Sequence, residues 1–166
     1  MNQTPSLQQF YKSLGDKSCI RQKLFARVND YIRNGGVIES SALCVAIFRG
    51  ESEILAHLLR SGWKICVNHR QDGKDSRFPI HWAAQEGNVH AAIILLSHGA
   101  KIDVQADGGF SPLHIAASEG HLDFVRLLID FGANVKLRCH AADDLTAEEL
   151  ARAWKRNSTV RFLTGL

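Results

Sequence analysis

Histidines, cysteines and a knot of carboxylates are the side chains in this sequence that could hold a metal or move a proton. Cys66 and His69 stand at the Cys-x-x-His spacing of a zinc ligand pair. A zinc site needs four ligands, and no second pair lies near them. Cys19, Cys44 and Cys139 are widely scattered, without a CxxC, so free thiols in a reducing compartment are expected. Nucleophilic catalysis needs a serine or cysteine set against a base and an oxyanion support. The chain has no GxSxG, no glycine-rich phosphate loop and no HExxH. Gly108-Gly109 reads as a hairpin-like turn. Asp143, Asp144, Glu148 and Glu149 gather where a helix would start, and acids there stabilise the helix dipole. No catalytic residue, metal site or cofactor is therefore expected. The remaining histidines (His57, His81, His90, His98, His114, His121, His140) fall one or two to a stretch of about 33 residues, and that spacing leads to the elements that carry them.

Phe78-Pro79-Ile80-His81-Trp82-Ala83-Ala84 is echoed 33 residues later by Ser111-Pro112-Leu113-His114-Ile115-Ala116-Ala117. Each leads to a glycine, Gly87 or Gly120, and then to Gly99-Ala100 or Gly132-Ala133. Ser41 to Ala46 fits the same slots upstream, with Gly50 and Gly62. Thr146 to Ala151, followed by Val160 to Leu163, fits them downstream. In one unit, Ser111 is placed to cap a helix that opens on Pro112, where a missing N–H costs nothing. Gly120 can take the left-handed conformation that ends it. A second helix, from Leu122 to Phe131, sets Leu122, Val125, Leu128 and Ile129 on one stripe. Two short helices cannot bury that stripe alone, so the units must stack.

Ser111 to Val135, read with its copies, closely resembles the ankyrin repeat, whose unit is a turn followed by two antiparallel helices and opens on a Thr-Pro-Leu-His type signature. The resemblance covers about three quarters of the chain. It implies an all-α solenoid of stacked helix-turn-helix repeats with short hairpin-like turns. We expect an irregular helical cap over residues 1–38, repeats at roughly 39–70, 74–106 and 107–139, and a degenerate cap over 140–166. The cap helices are read from Leu7, Phe10, Tyr11 and Leu14, and from Ile20, Leu24, Val28, Tyr31 and Ile32. In the family, the signature histidine hydrogen-bonds to the connecting turn. Cys44 replaces it in the first unit and Glu149 in the last, so those turns are expected to be less well tied. The last unit also lacks both helix-ending glycines, with Lys155 where Gly120 would fall. Pro79 follows Gly62 by 17 residues, whereas Pro112 follows Gly99 by 13, so the first connection is swollen between Val67 and Arg77.

The resemblance implies protein recognition: a small intracellular adaptor or inhibitor, monomeric on its own, that docks a partner on its concave face. A substrate receptor of a ubiquitin ligase or other complex, or a module of a longer protein, are the other readings. Family partners contact the turn tips and the exposed side of each first helix, which here selects Phe48, Arg49, Arg77, Gln85, Glu86, Phe110, Ser118, Glu119 and Trp154. Phe48 and Phe110 are expected to be exposed; Trp154 either projects or packs in the cap. From Arg60 to Arg77 five basic residues face two acids, so Arg70 and Lys74 are candidate contacts to an acidic partner. The net charge of +3 implies no strong pull toward nucleic acid or membrane, and the wide basic field with interleaved aromatics of a nucleic-acid surface is missing. The polar start of the chain has no apolar signal core, and the longest apolar patch, Ala91 to Leu96, is too short to span a bilayer. Cytosol or nucleus is the expected compartment.

Overall fold

The structure is a computed structural model that describes residues 40–60, 67–70, 76–141 and 144–166. Helices come in pairs: α1 (Ser40–Phe48) with α2 (Ser52–Arg60), α3 (Pro79–Gln85) with α4 (Val89–Ser97), α5 (Pro112–Glu119) with α6 (Leu122–Asp130), and α7 (Ala147–Ala153) with α8 (Asn157–Thr164). The first helices pack in order, α1 on α3 on α5 on α7, and the second helices form a parallel outer layer, α2 on α4 on α6 on α8. A 3₁₀ turn, Asp107–Gly109, leads into α5. The next connection carries the strands β1 (Arg138–Cys139) and β2 (Leu145–Thr146), an antiparallel pair in which Arg138 faces Thr146. This is the all-α solenoid expected. The proposed helices of residues 1–38, along with Lys74, Cys66 and Gly62, lie outside the described residues.

The inner layer is closely spaced because its buried positions are small. Ala83, Ala84, Ala116, Ala117 and Ala151 are wholly buried and let neighbouring helices approach. Larger side chains fill the gap to the outer layer: Leu43, Ile47, Leu55, Ile80, Leu95, Leu113, Val125 and Leu128. The stripe read on α6 needs one correction. Val125 and Leu128 are buried, but Leu122 and Ile129 are only half-buried, and Phe124, absent from the stripe, is the largest fully buried side chain. α6 packs on α5 in the inner layer and on α4 and α8 in its own, so it buries more than one narrow stripe, which a stripe pattern of four cannot display.

Helix ends follow local chemistry. Ser111 accepts from the backbone N–H of His114, and Gly120 ends α5 at φ 84°. Lys155 stands at the matching place after α7 and takes the same left-handed conformation, φ 57°. The missing glycine is thus replaced in conformation as well as in position, at a steric cost that glycine would avoid. The last helix does end on a glycine, Gly165, but in the right-handed region at φ −89°.

Thr159 occupies in α8 the place that Phe124 takes in α6. It is fully buried and its hydroxyl has no hydrogen-bond partner. A buried unpaired hydroxyl is destabilising, and valine has the same shape without it. Thr159→Val is expected to stabilise the fold by about 1 kcal/mol, raising Tm by roughly 3 °C. A lower melting temperature by circular dichroism would contradict this.

Candidate functional site

The turns that shape the exposed face are held by the signature histidines. In His81, Nδ1 accepts from the Phe78 backbone N–H (3.2 Å), while Nε2 donates toward the carbonyls of Val104 (3.1 Å) and Phe110 (3.0 Å) in the following turn. His114 does the same one unit on: Ser111 N–H donates to Nδ1 (3.3 Å), and Nε2 reaches the Leu145 carbonyl of β2 (3.2 Å). Both rings are buried and neutral. Burial pushes the His81 pKa down to about 4, opposed by the carbonyls and helped by nearby Arg77. Burial likewise holds His114 below the usual imidazole value.

The two replacements behave differently. Glu149 keeps the local half of the arrangement, because its carboxylate accepts from the Thr146 backbone N–H at 2.8 Å, but it makes no bond to a following turn. That bond and the Thr146 hydroxyl hold its carboxyl below the usual range. The Cys44 thiol is buried, and desolvation pushes its pKa up to about 12, so it is no nucleophile near neutral pH.

A second ladder, not read from the sequence, links the units. At the residue before α4, α6 and α8, Asn88 donates to the Ile47 carbonyl (3.3 Å), His121 Nε2 reaches the Gln85 carbonyl (2.9 Å), and Arg156 donates to the Ser118 carbonyl (2.7 Å). Each acceptor lies near the end of the preceding unit's inner helix. Three residue types share this role, so no identity repeats; the shared signal is a side-chain N–H donor at one slot of the period. The His121 ring lies so close over Gly87 that an added Cβ would stand 2.7 Å from it.

This frame presents a row of side chains at the ends of the inner helices. The residues just before the left-handed positions, Gly50, Gly87, Gly120 and Lys155, are Arg49, Glu86, Glu119 and Trp154. Each is exposed. Phe48, beside Arg49, is 66% exposed and Trp154 is 62% exposed, so Trp154 projects and does not pack in the cap. Glu86 and Glu119 make no side-chain hydrogen bond or ion pair among the described residues. The Ser118 hydroxyl is turned back to the Ile115 carbonyl at 2.9 Å.

The turn-tip candidates are more engaged. Phe110 is half-buried and meets the His114 ring edge-on, at 6.4 Å between centroids, so the expectation that it is exposed does not hold. Its ring packs against the edge of the hydrophobic core, and its carbonyl is held by His81. Arg77 lies over the Trp82 ring at 5.4 Å and hydrogen-bonds to Gln85, so two candidate contacts satisfy each other. Arg70 forms an ion pair with Asp107 and donates to the Ser76 carbonyl (3.0 Å), which ties the swollen connection to the next turn.

A shallow depression of ≈ 470 Å³ by the last turn is bordered by Val135, Lys136, Arg138, Thr146, Glu148 and Leu163; none of the candidate contacts lines it. Arg138 on its wall is already paired with Glu149 (3.7 Å), and Glu148 with Arg152 (2.6 Å). Among the described residues no group of three or more metal-ligating side chains comes together. No helix among them is long and apolar enough to cross a membrane.

The chain is similar to a family model described as ankyrin repeats (3 copies), which matches residues 14–106, 43–139 and 99–164. Together these matches run from residue 14 to residue 164, most of the chain.

Proposed function

The chain belongs to the ankyrin-repeat family, and we propose that it acts as an intracellular adaptor or inhibitor that docks one partner protein along the row of inner-helix ends. Ankyrin repeats are protein–protein interaction modules. The observation that carries the finer reading is the exposure of Phe48, the last residue of α1, and of Trp154, just after α7, two large aromatic side chains that the fold leaves uncovered. Tryptophan and other aromatics are enriched at binding hot spots and depend on partner burial for their effect. A specific interface of about 1,600 Å² in total would span several adjacent units. Cytosol or nucleus is the compartment proposed, and protein recognition, not turnover of a substrate, is the activity proposed.

The cleanest test uses Trp154, because Phe110 and Arg77 also support the fold. Trp154→Asp is expected to weaken capture of the partner from native extract by about tenfold or more, with helix content unchanged by circular dichroism. Capture equal to wild type would remove the row from the interface.

A further inference from the structure

We propose that the partner segment which lies on this row is an extended, basic stretch of chain: an apolar residue at each end and two lysines or arginines between them, one unit apart. The proposal rests on the docking face proposed above and names the chemistry that fits it.

Taken across the four units, the row reads Phe48 with Arg49, then Glu86, then Glu119, then Trp154. Aromatic side chains stand at both ends, and two exposed carboxylates stand between them. The carboxylates find no cation within the described residues, although Arg77, Arg152 and Arg156 lie on neighbouring elements. Arg77 is committed to Trp82 and Gln85, Arg152 to Glu148, and Arg156 to the Ser118 carbonyl. Two acids without a partner, held one unit apart, complement two positive charges at the same spacing.

Spacing chooses the shape of the occupant. Adjacent packed helices lie about 8–10 Å apart, and an extended chain advances about 3.3 Å per residue. Every third residue of an extended segment therefore meets the next unit. Phe48 stands one residue before Arg49, in the file of Gln85 and Ser118. In that file Gln85 is bonded to Arg77 and the Ser118 hydroxyl to its own helix, so the Glu86 and Glu119 carboxylates are the polar groups left open between the two aromatic ends. A single extended strand meets them with apolar residues at the Phe48 and Trp154 ends and basic residues at the third and sixth steps between them.

The test uses two fluorescein-labelled ten-residue peptides of serine and glycine with leucine at both ends. One carries lysine at the fourth and seventh positions, the other glutamate. Affinity is read by anisotropy at low salt, and the location by amide shifts of the labelled full chain. The lysine peptide is expected to bind about tenfold more tightly than the glutamate peptide, with shifts at Glu86, Glu119 and Trp154. Glu86→Lys combined with Glu119→Lys should reverse that preference, a readout that no loss of folding can imitate. Equal affinities, a preference the double variant leaves unchanged, shifts confined to the outer helices, or no binding of either peptide would overturn the proposal. If those results came with loss of partner capture by Trp154→Asp, the docking face would stand and only the basic, extended character of its occupant would fall.

Discussion

His81→Ala is expected to destabilise the fold by about 3–4 kcal/mol, the largest single effect among the buried polar groups. The imidazole is fully buried between two units. Removing it leaves the Val104 carbonyl and the Phe78 N–H without the partners they now have, while the Phe110 carbonyl keeps only the Ala106 N–H. Each unpaired buried group costs about 1–3 kcal/mol, partly recovered as water enters. A cavity adds to the loss, because Ile80 and Ala84 beside it sit in a packed inner layer that cannot easily collapse. Glutamine or asparagine could restore one bond but not both directions of the ring. Urea denaturation of the intact chain checks this, and a loss below about 1 kcal/mol would mean that the turn is held by something else. Since the array is coupled unit to unit, the loss should appear first in the units flanking His81.

Acid should weaken the fold in a window set by the same ring. His81 has a folded pKa of about 4 against an unfolded value of 6.5. The unfolded state binds the proton more readily, so stability rises with pH between these values. The contribution is fully present above pH 6.5 and is lost progressively as pH falls to about 4, below which it changes no further. The difference of about 2.5 pH units corresponds to about 3 kcal/mol. His114 acts in the same direction, because burial depresses its pKa too. Physically, a second ring proton would have to sit on Nδ1, against the N–H of Phe78 or Ser111 that now donates to it. Glu149 acts in the same direction only at the acid end of this window, as pH falls through the ordinary carboxylate range, because its folded carboxyl is held below that range. Stability measured at pH 7 and pH 4.5 should differ markedly in the wild type and much less in His81→Ala. An equal pH dependence in both proteins would assign it to other groups.

Much of the frame was legible because it rests on residues whose conformational demands are strict. Pro79, Pro112, Gly87 and Gly120 mark helix starts and ends by their own backbone limits, and they recur with the period. The histidines were legible for the same reason: the ring satisfies donors and acceptors that the turn always presents. Where a slot requires only a function, the sequence conceals it. Asn88, His121 and Arg156 share one job without sharing an identity, and Lys155 takes a left-handed conformation that its residue type does not announce.

Exposure was read less well than architecture, for a related reason. Phe48, Phe110 and Trp154 were selected by slot, yet Phe110 turns onto His114 while the other two project. The difference depends on what stands beside each ring: Phe110, just before α5, meets the His114 ring four residues on, and the repeat slot alone does not display that contact. The basic residues of the swollen connection were likewise read as free contacts. Arg70 finds Asp107 across the turns, and Arg77 finds Trp82 and Gln85. Long cationic side chains beside unsatisfied acceptors tend to be used within the fold first, and only long-range geometry shows which acceptors are near.

The claim that the inner-helix ends form the docking face is tested most directly by site-specific photo-crosslinking in native cells. A photo-crosslinking amino acid is placed either at Glu119, on the row, or at Asp123, exposed on the outer helix α6. A discrete crosslinked protein is expected from position 119 and none from position 123, with the band lost when Trp154→Asp is added. A band from position 123 alone, or one from 119 that survives Trp154→Asp, would contradict that claim.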